Sequence, residues 1–335
     1  MTAGARTHTG ANGAAATEWH RPGWSRSLQL ALGAIWLLDG VLQLQPVLFT
    51  AGPTGLSGML HQAAAGNPSW IASSIGWNAT IVGHHPLAAN TTFAFIQIFL
   101  GLGISRRRTL KPALAASVAW SLAVWWFGEG LGGVLSGNGT PLAGGPGAVL
   151  FYGLLAVLLW PASRSDARPS AAGQLIGARA ANVVWAATWA LLSLLCVLGS
   201  GRAPNGIHDV ISGVEPGEPG WLSGLDRHAA SAVQGDGLSI AVVLAIICLA
   251  IAGGVYLHCL ARRVTLVVAI VVSLAVWVVT QNFGMILPGG ATDPSSGPLL
   301  VILALAFWPL SPVRAEEEHP EPPMVVLRTP ELQMA

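Results

Sequence analysis

Long apolar stretches separated by short polar punctuation run through most of this chain, and they have the length of bilayer spans. Read against a bilayer core of roughly 30 Å, the pattern predicts eight membrane helices. They fall at about 28–49, 88–105, 112–133, 146–162, 180–200, 238–259, 264–286 and 297–312. The pattern also repeats. Ser121 to Thr140, SLAVWWFGEGLGGVLSGNGT, recurs as Ser273 to Thr292, SLAVWVVTQNFGMILPGGAT, with nine identities in twenty ungapped positions, where composition alone predicts roughly two. Around this anchor the order recurs: an apolar helix, a long Trp-containing loop, a second apolar helix, an Arg pair, the anchor helix, and an apolar run ending in Trp160-Pro161 or Trp308-Pro309.

The predicted fold is therefore an all-α, polytopic bundle of eight transmembrane helices in two parallel four-helix repeats. Residues 25–163 form the first repeat and 180–313 the second, joined by a cytoplasmic linker at 164–179. Polar, Pro-containing tails at 1–24 and 314–335 read as disordered. Because each unit has an even number of spans, both copies enter the membrane in the same direction, with a pseudo-twofold axis along the membrane normal.

Charge sharpens this picture. Charged residues are only 9% of the chain and the mean hydropathy is +0.60, against about a quarter charged in soluble domains. Between Arg26 and Arg106 the only formal charge is Asp39, between Lys111 and Arg164 it is Glu129, and between Arg263 and Arg314 it is Asp293. Arg6, Arg21, Arg26, Arg106 to Arg108, Lys111, Arg164, Arg168, Arg179, Arg262, Arg263, Arg314 and Arg328 all fall on one side of the predicted spans, and only Arg202 and Arg227 fall on the other. Both termini are then cytoplasmic by the positive-inside rule. The preference for Arg over Lys and the richness in Ala and Gly suggest a high-GC bacterium, hence an inner-membrane location. No cleavable signal sequence is evident. Cys196, Cys248 and Cys259 form no Cys-x-x-Cys pair and read as small hydrophobes.

The long outer loops, 50–87 and 201–237, each contain a proline followed by an amphipathic stretch: Asn67-Pro68 before Trp70, Ile71 and Trp77, and Glu218-Pro219 before Trp221, Leu222 and Leu225. Both predict short helices at the outer interface, placed to cap a cavity.

Candidate chemistry is sparse. Asp39 lies about 18 Å of helix rise into its span, near mid-bilayer, and an intramembrane acid marks a functional site unless it serves as a hydrogen-bonded interhelical contact. Gln43 follows one turn later and Gln97 falls at similar depth, so Asp39, Gln43 and Gln97 form a candidate polar cluster. Glu129 lies near the outer surface, and its counterpart in the second copy is Gln281, which keeps the shape and loses the charge. His84 and His85 precede the second span at the same outer level, which adds them to the candidate cluster around Glu129. Gly128, Gly130 and Gly133 match a dinucleotide-binding spacing without the preceding strand it requires. Gly128, Gly132 and the retained Gly284 read as helix-packing glycines. No metal-ligand spacing, phosphate loop, nucleophile elbow or basic nucleic-acid patch is present. The sequence names no cofactor. The bilayer is its predicted environment, with a homo-oligomer or a membrane-complex partner left open.

The first span, LQLALGAIWLLDGVLQLQP at residues 28–46, has an Arg-flanked apolar start and a polar-interrupted Gly and Gln segment in its outer half. It resembles the opening helix of DoxX-like membrane proteins, and the four-span unit is similar to theirs. The resemblance implies a four-helix bundle, here present twice, linked to redox, thiosulfate or quinone metabolism. The chain departs from that pattern at Gln43 and Gln45, where the family carries a basic residue, and in its long outer loops. Three functions follow as expectations: a non-enzymatic membrane protein with an outward-facing polar cavity for transport or binding, a quinone-linked redox subunit, and a structural or assembly subunit of an envelope complex. The difference between Glu129 and Gln281 points to the first copy as the place of activity.

Overall fold

A computed structural model describes residues 23–50, 52–161, 170–214 and 219–310 of the chain. Among these, every regular element is helical, and twelve helices carry the architecture. The first half contains α1 (Trp24–Leu42), α2 (Leu56–Ala64), α3 (Ser69–His84), α4 (Pro86–Ser105), α5 (Leu110–Phe127) and α6 (Ala148–Leu158). The second contains α7 (Ala178–Leu198), α8 (Gly206–Val214), α9 (Gly220–Ala232), α10 (Gly237–Gly254), α11 (Cys259–Val279) and α12 (Ser296–Ala306). In order, the first six have 19, 9, 16, 20, 18 and 11 residues and the second six have 21, 9, 13, 18, 21 and 11. Pairings match as well: α1 packs on α4 as α7 packs on α10, α2 on α3 as α8 on α9, and α5 on α6 as α11 on α12.

Five helices, α4, α5, α7, α10 and α11, are long and apolar enough to cross a membrane. Their outer faces present large apolar side chains such as Phe95, Phe99, Ile246, Leu249 and Val271, the composition a lipid-facing surface requires. The α1 helix has comparable length but carries Arg26, Gln29 and Asp39. At 11 residues each, α6 and α12 rise only about 16 Å, half a bilayer core.

These two short helices are the centre of the molecule. Most of their residues are buried, and they pack against each other across the two halves. One continuous core joins Trp36, Phe151, Tyr152, Trp185, Trp189 and Phe307. The backbone preceding each short helix is irregular, with Thr140, Leu142, Gln281 and Asn282 buried and Leu135, Gly137, Leu287 and Gly289 exposed.

Close helix packing by small residues occurs between α1 and α4. A methyl group at Gly101 would lie 2.6 Å from the Gly33 carbonyl oxygen, so the helices cross with their backbones in contact. At one end of the bundle, Arg26 donates to the Ile104 and Ser105 carbonyls at the C-terminus of α4. Arg262 donates to the Phe307 carbonyl at the end of α12 over 3.0 Å. Guanidinium groups here satisfy carbonyls that helix ends leave open.

Several expectations are corrected. The anchor span predicted to reach residue 133 stops at Phe127. Residues 170–173 of the predicted linker are buried in the core: Ala172 N–H donates to the Ala306 carbonyl (2.9 Å) and Gly173 N–H to the Leu158 carbonyl (3.0 Å), tying together the ends of α6 and α12. Linker residues 164–169 and both tails lie outside the described residues, except Gly23 and Trp24, where α1 begins, and linker residues Ala178 and Arg179 already belong to α7. In the first outer loop the Asn67 side chain donates to the Ala63 carbonyl at 2.9 Å, and α3 begins one residue after Pro68.

Candidate functional site

A cavity of ≈ 330 Å³ lies in the first half. Its walls come from α1, α4, α5 and α6, its cover from α2 and α3, and one side from the segment before α12. Each polar lining residue is placed by a local feature. Trp36, Asp39 and Gln43 follow one another at three- and four-residue spacing on the buried face of α1. Gln97 faces them from α4, and Tyr152 from α6. Asp39 and Tyr152 are each only 1% exposed, and the Tyr152 hydroxyl faces the Asp39 carboxyl. Gln43 is held by Asn90, donating to its side-chain oxygen and accepting from its amide through the backbone carbonyl at 2.7 Å.

Glu129 sits where α5 has ended and the backbone reverses hand. Gly130, Leu131, Gly132 and Gly133 all have positive φ, between 57° and 71°, forming one left-handed turn. Such a turn costs an L-residue about 1–2 kcal/mol per position, a cost three glycines largely remove. The turn aims Glu129 at the start of α6, where one carboxylate oxygen accepts the Val149 N–H at 3.1 Å. An acid in this place satisfies an open helix-terminal donor and complements the helix dipole. The other oxygen, Oε2, lies against Gly147, where an added methyl would come within 2.2 Å of it, and has no hydrogen-bond partner among the described residues.

The second half repeats this arrangement. Asn282, Phe283, Gly284 and Met285 have φ between 44° and 73°, the Gln281 side-chain oxygen accepts the Gly297 N–H at the start of α12 over 3.3 Å, and Trp277 donates to the Pro294 carbonyl at 2.7 Å as Trp125 does to Pro146 at 2.6 Å. Gly132 and Gly284 therefore do not sit on packed helices as the spacing suggested. They lie in left-handed turns pressed against the proline before each short helix: a methyl at Gly132 would come 1.8 Å from the Pro146 carbonyl oxygen, and one at Gly284 2.5 Å from the Pro294 carbonyl carbon. Gly128 is the C-cap residue of α5.

The two halves exchange loops. Thr292 and Asp293, from the second half, line the first-half cavity. Asp293 is fixed by its own turn, accepting from Ser295 N–H at 2.7 Å and from the Thr292 hydroxyl at 3.0 Å. Gln45 anchors the segment by donating to the Ala291 carbonyl (3.0 Å) and accepting from Gly290 N–H. Reciprocally, Pro141 and Leu142 enter the second half, where Thr280 donates to the Leu142 carbonyl (2.7 Å) and Gln281 to the Pro141 carbonyl (3.1 Å). The corresponding space there is only ≈ 30 Å³, lined by Trp189, Leu192, Cys196 and Leu300. Counted from the buried tryptophans, Leu192 and Cys196 occupy the places of Asp39 and Gln43.

Among the described residues, Gln97 Oε1, Trp120 Nε1 and Glu129 Oε2, all on residues that line the larger cavity, have no hydrogen-bond partner, and Asp39 Oδ1 and the Tyr152 hydroxyl face only each other. Native proteins leave few such buried atoms unpaired, so a group of them at one cavity marks a place where something else supplies hydrogen bonds. Among the described residues, no basic side chain lines it. Among the described residues, no three His, Cys, Asp or Glu side chains gather closely enough to hold a metal ion.

Of the candidates chosen from sequence, Asp39, Gln43, Gln97 and Glu129 line this one cavity. His84 and His85 do not: both are exposed at the junction of α3 and α4, outside the lining. Sequence reasoning missed Tyr152, Trp120 and Asp293. Asp293 had a signal, being the sole charge across 264–313 and the first residue after the repeated segment. Compared with known proteins, the chain matches no family model, no curated protein and no solved structure.

Proposed function

We propose that this chain is a multi-pass bacterial inner-membrane protein whose first half holds an outward-facing polar cavity for binding or transporting a small molecule. In this reading α1, α4, α5 and α6 and then α7, α10, α11 and α12 are two parallel four-span repeats, with the two short helices completed through the membrane by their left-handed turns. Arg26 and Arg262, capping helix ends at one face, support the cytoplasmic assignment of that face. The observation that carries the functional reading is the group of buried, unpaired polar atoms on the residues that line a ≈ 330 Å³ cavity, a volume within the range of small-molecule sites. Its counterpart in the second half is nearly filled. Exposed Trp77, Ala123 and Phe127 form the rim and offer a way in.

The test is a binding screen on the purified protein in lipid nanodiscs, read by thermal shift and tryptophan fluorescence. Cationic, anionic and neutral compounds of roughly 8 to 15 non-hydrogen atoms are compared on wild type and on Ala123→Trp, which blocks the rim without altering a polar group. Compounds that bind wild type and lose binding in Ala123→Trp support the reading; equal responses from both proteins sink it. Neutral quinones belong in the panel, because their selective binding would instead favour the redox subunit that the DoxX-like resemblance implies. A chain that binds nothing and copurifies with other membrane proteins would favour the assembly subunit.

A further inference from the structure

The cavity is asymmetric in its hydrogen-bonding demand. Gln97 Oε1 and the ionised carboxyls of Asp39 and Glu129 can only accept, whereas Trp120 Nε1 can only donate and the Tyr152 hydroxyl can do either. A ligand that satisfies the acceptors must bring donors. Three carboxyl groups, those of Asp39, Glu129 and Asp293, share the lining, and no basic residue is among the described residues there. Ionised carboxylates taken from water without a counter-charge are costly, so protons or a cationic ligand must balance them. They surround a volume and do not converge on a point, as the absence of any metal-sized grouping among the described residues shows. The remaining wall is aromatic, with Trp36, Trp77, Phe93, Trp120 and Phe127, and aromatic faces attract cations as well as apolar bodies.

The second half serves as an internal comparison. It keeps the left-handed turn, the Trp–carbonyl bond and the side-chain cap on the short helix, yet each carboxyl position is uncharged there. Leu192 stands for Asp39, Gln281 for Glu129, and Pro141, which follows Thr140 as Asp293 follows Thr292, for Asp293. The shared frame does not need the acids. Their presence in one cavity alone requires a purpose that the frame does not supply.

We propose that the ligand of this cavity is an organic cation, an ammonium group on an apolar body, with its charge among Asp39, Glu129 and Asp293 and its body against the aromatic wall. The proposal rests on the reading that the cavity binds a small molecule, and adds the chemical class of that molecule. A free amine and the headgroup of an ethanolamine or choline lipid share this chemistry.

A charge series at constant shape tests it: phenethylammonium, phenethyl alcohol and phenylacetate, together with primary to quaternary alkylammonium ions, titrated against the protein in nanodiscs. The expected order is cation over alcohol over anion, with the cation at least tenfold tighter than the alcohol, about 1.4 kcal/mol. Glu129→Gln, Asp39→Asn and Asp293→Asn are each expected to weaken cation binding at least tenfold and to narrow the cation-over-alcohol preference. The Glu129→Gln variant has a folded precedent in Gln281, and an unchanged melting midpoint and elution volume certify the fold of all three. Alcohol or anion binding as tightly as the cation overturns the cation assignment and leaves the binding site standing. No binding by any charge class overturns both. Discs of phosphatidylglycerol alone, compared with discs containing phosphatidylethanolamine, separate the sources: equal amine affinity in both identifies a free amine, and weaker affinity with ethanolamine lipid identifies the headgroup.

Discussion

Replacing Gly132 by alanine tests the left-handed turn on which the placement of Glu129 depends. Gly132 has φ +60°, and an added methyl would lie 1.8 Å from the Pro146 oxygen and 1.9 Å from its carbonyl carbon. That is roughly 1.5 Å nearer than ordinary contact, and the obstacle is backbone. An L-residue in this conformation costs about 1–2 kcal/mol by itself. Relieving the clash moves Pro146 and the start of α6, which endangers the Trp125 bond to the Pro146 carbonyl and the Glu129 bond to Val149 N–H. Losing one neutral and one charged hydrogen bond adds about 2–4 kcal/mol. Gly137 is the matched control, with φ +74° and nothing within 4 Å of an added methyl, so its alanine variant carries only the conformational cost. The difference between the variants is then about 3 kcal/mol, which in melting midpoint corresponds to ~5 °C or more for a chain unfolding as a unit. Fluorescence-detected size-exclusion of heated, detergent-solubilised protein measures both midpoints. If Gly132→Ala melts within ~2 °C of Gly137→Ala, the turn is not pressed against Pro146 and the reasoning fails.

Exchanging Glu129 for glutamine is expected to leave the melting midpoint within ~2 °C of wild type, because Gln281 makes the equivalent cap in the second half; a large drop would show that the two caps are not equivalent. Gln45→Ala removes both side-chain bonds that hold the segment before Asp293 and is expected to cost about 1–3 kcal/mol and raise hydrogen exchange locally at 289–293, with exchange at 139–142 unchanged. Cys259 is exposed at the end of the bundle that carries Arg262, while Cys196 and Cys248 are buried. A membrane-impermeant maleimide should therefore label Cys259 in inside-out vesicles only, and labelling in intact cells with outer-membrane access would invert the proposed orientation.

Much of the candidate site was legible because it depends on local regularities. Asp39 and Gln43 are one helical turn apart, and counting rise from the basic end sets their depth together with Gln97. Glu129 stood out against Gln281 because the anchor segments align without a gap. Other parts were not legible. Leu131, Phe283 and Met285 have positive φ, against the preference of every L-residue, so the apolar run that continues past Phe127 reads as helix until the packing of Pro146 and Pro294 is known. His84 and His85 share an outer level with Glu129 by residue counting, but a level does not specify lateral position, and the α3 and α4 junction leaves both facing outward.

The membrane class, the repeated order of apolar segments in the two halves and the charge difference between them follow from the sequence alone, since hydropathy windows and aligned segments are properties of neighbouring residues. The tertiary structure decided which loop enters which half. Asp293 joins Asp39 and Glu129 because α6 and α12 are too short to span the core and pack together at its centre, so the segment before each is drawn in to fill the remaining depth and crosses into the opposite half. That crossing completes an acidic cavity on one side and, with Pro141 in place of an acid, closes the space on the other. No local pattern encodes it, because the residues that meet are brought together by the depth left unfilled between distant helices.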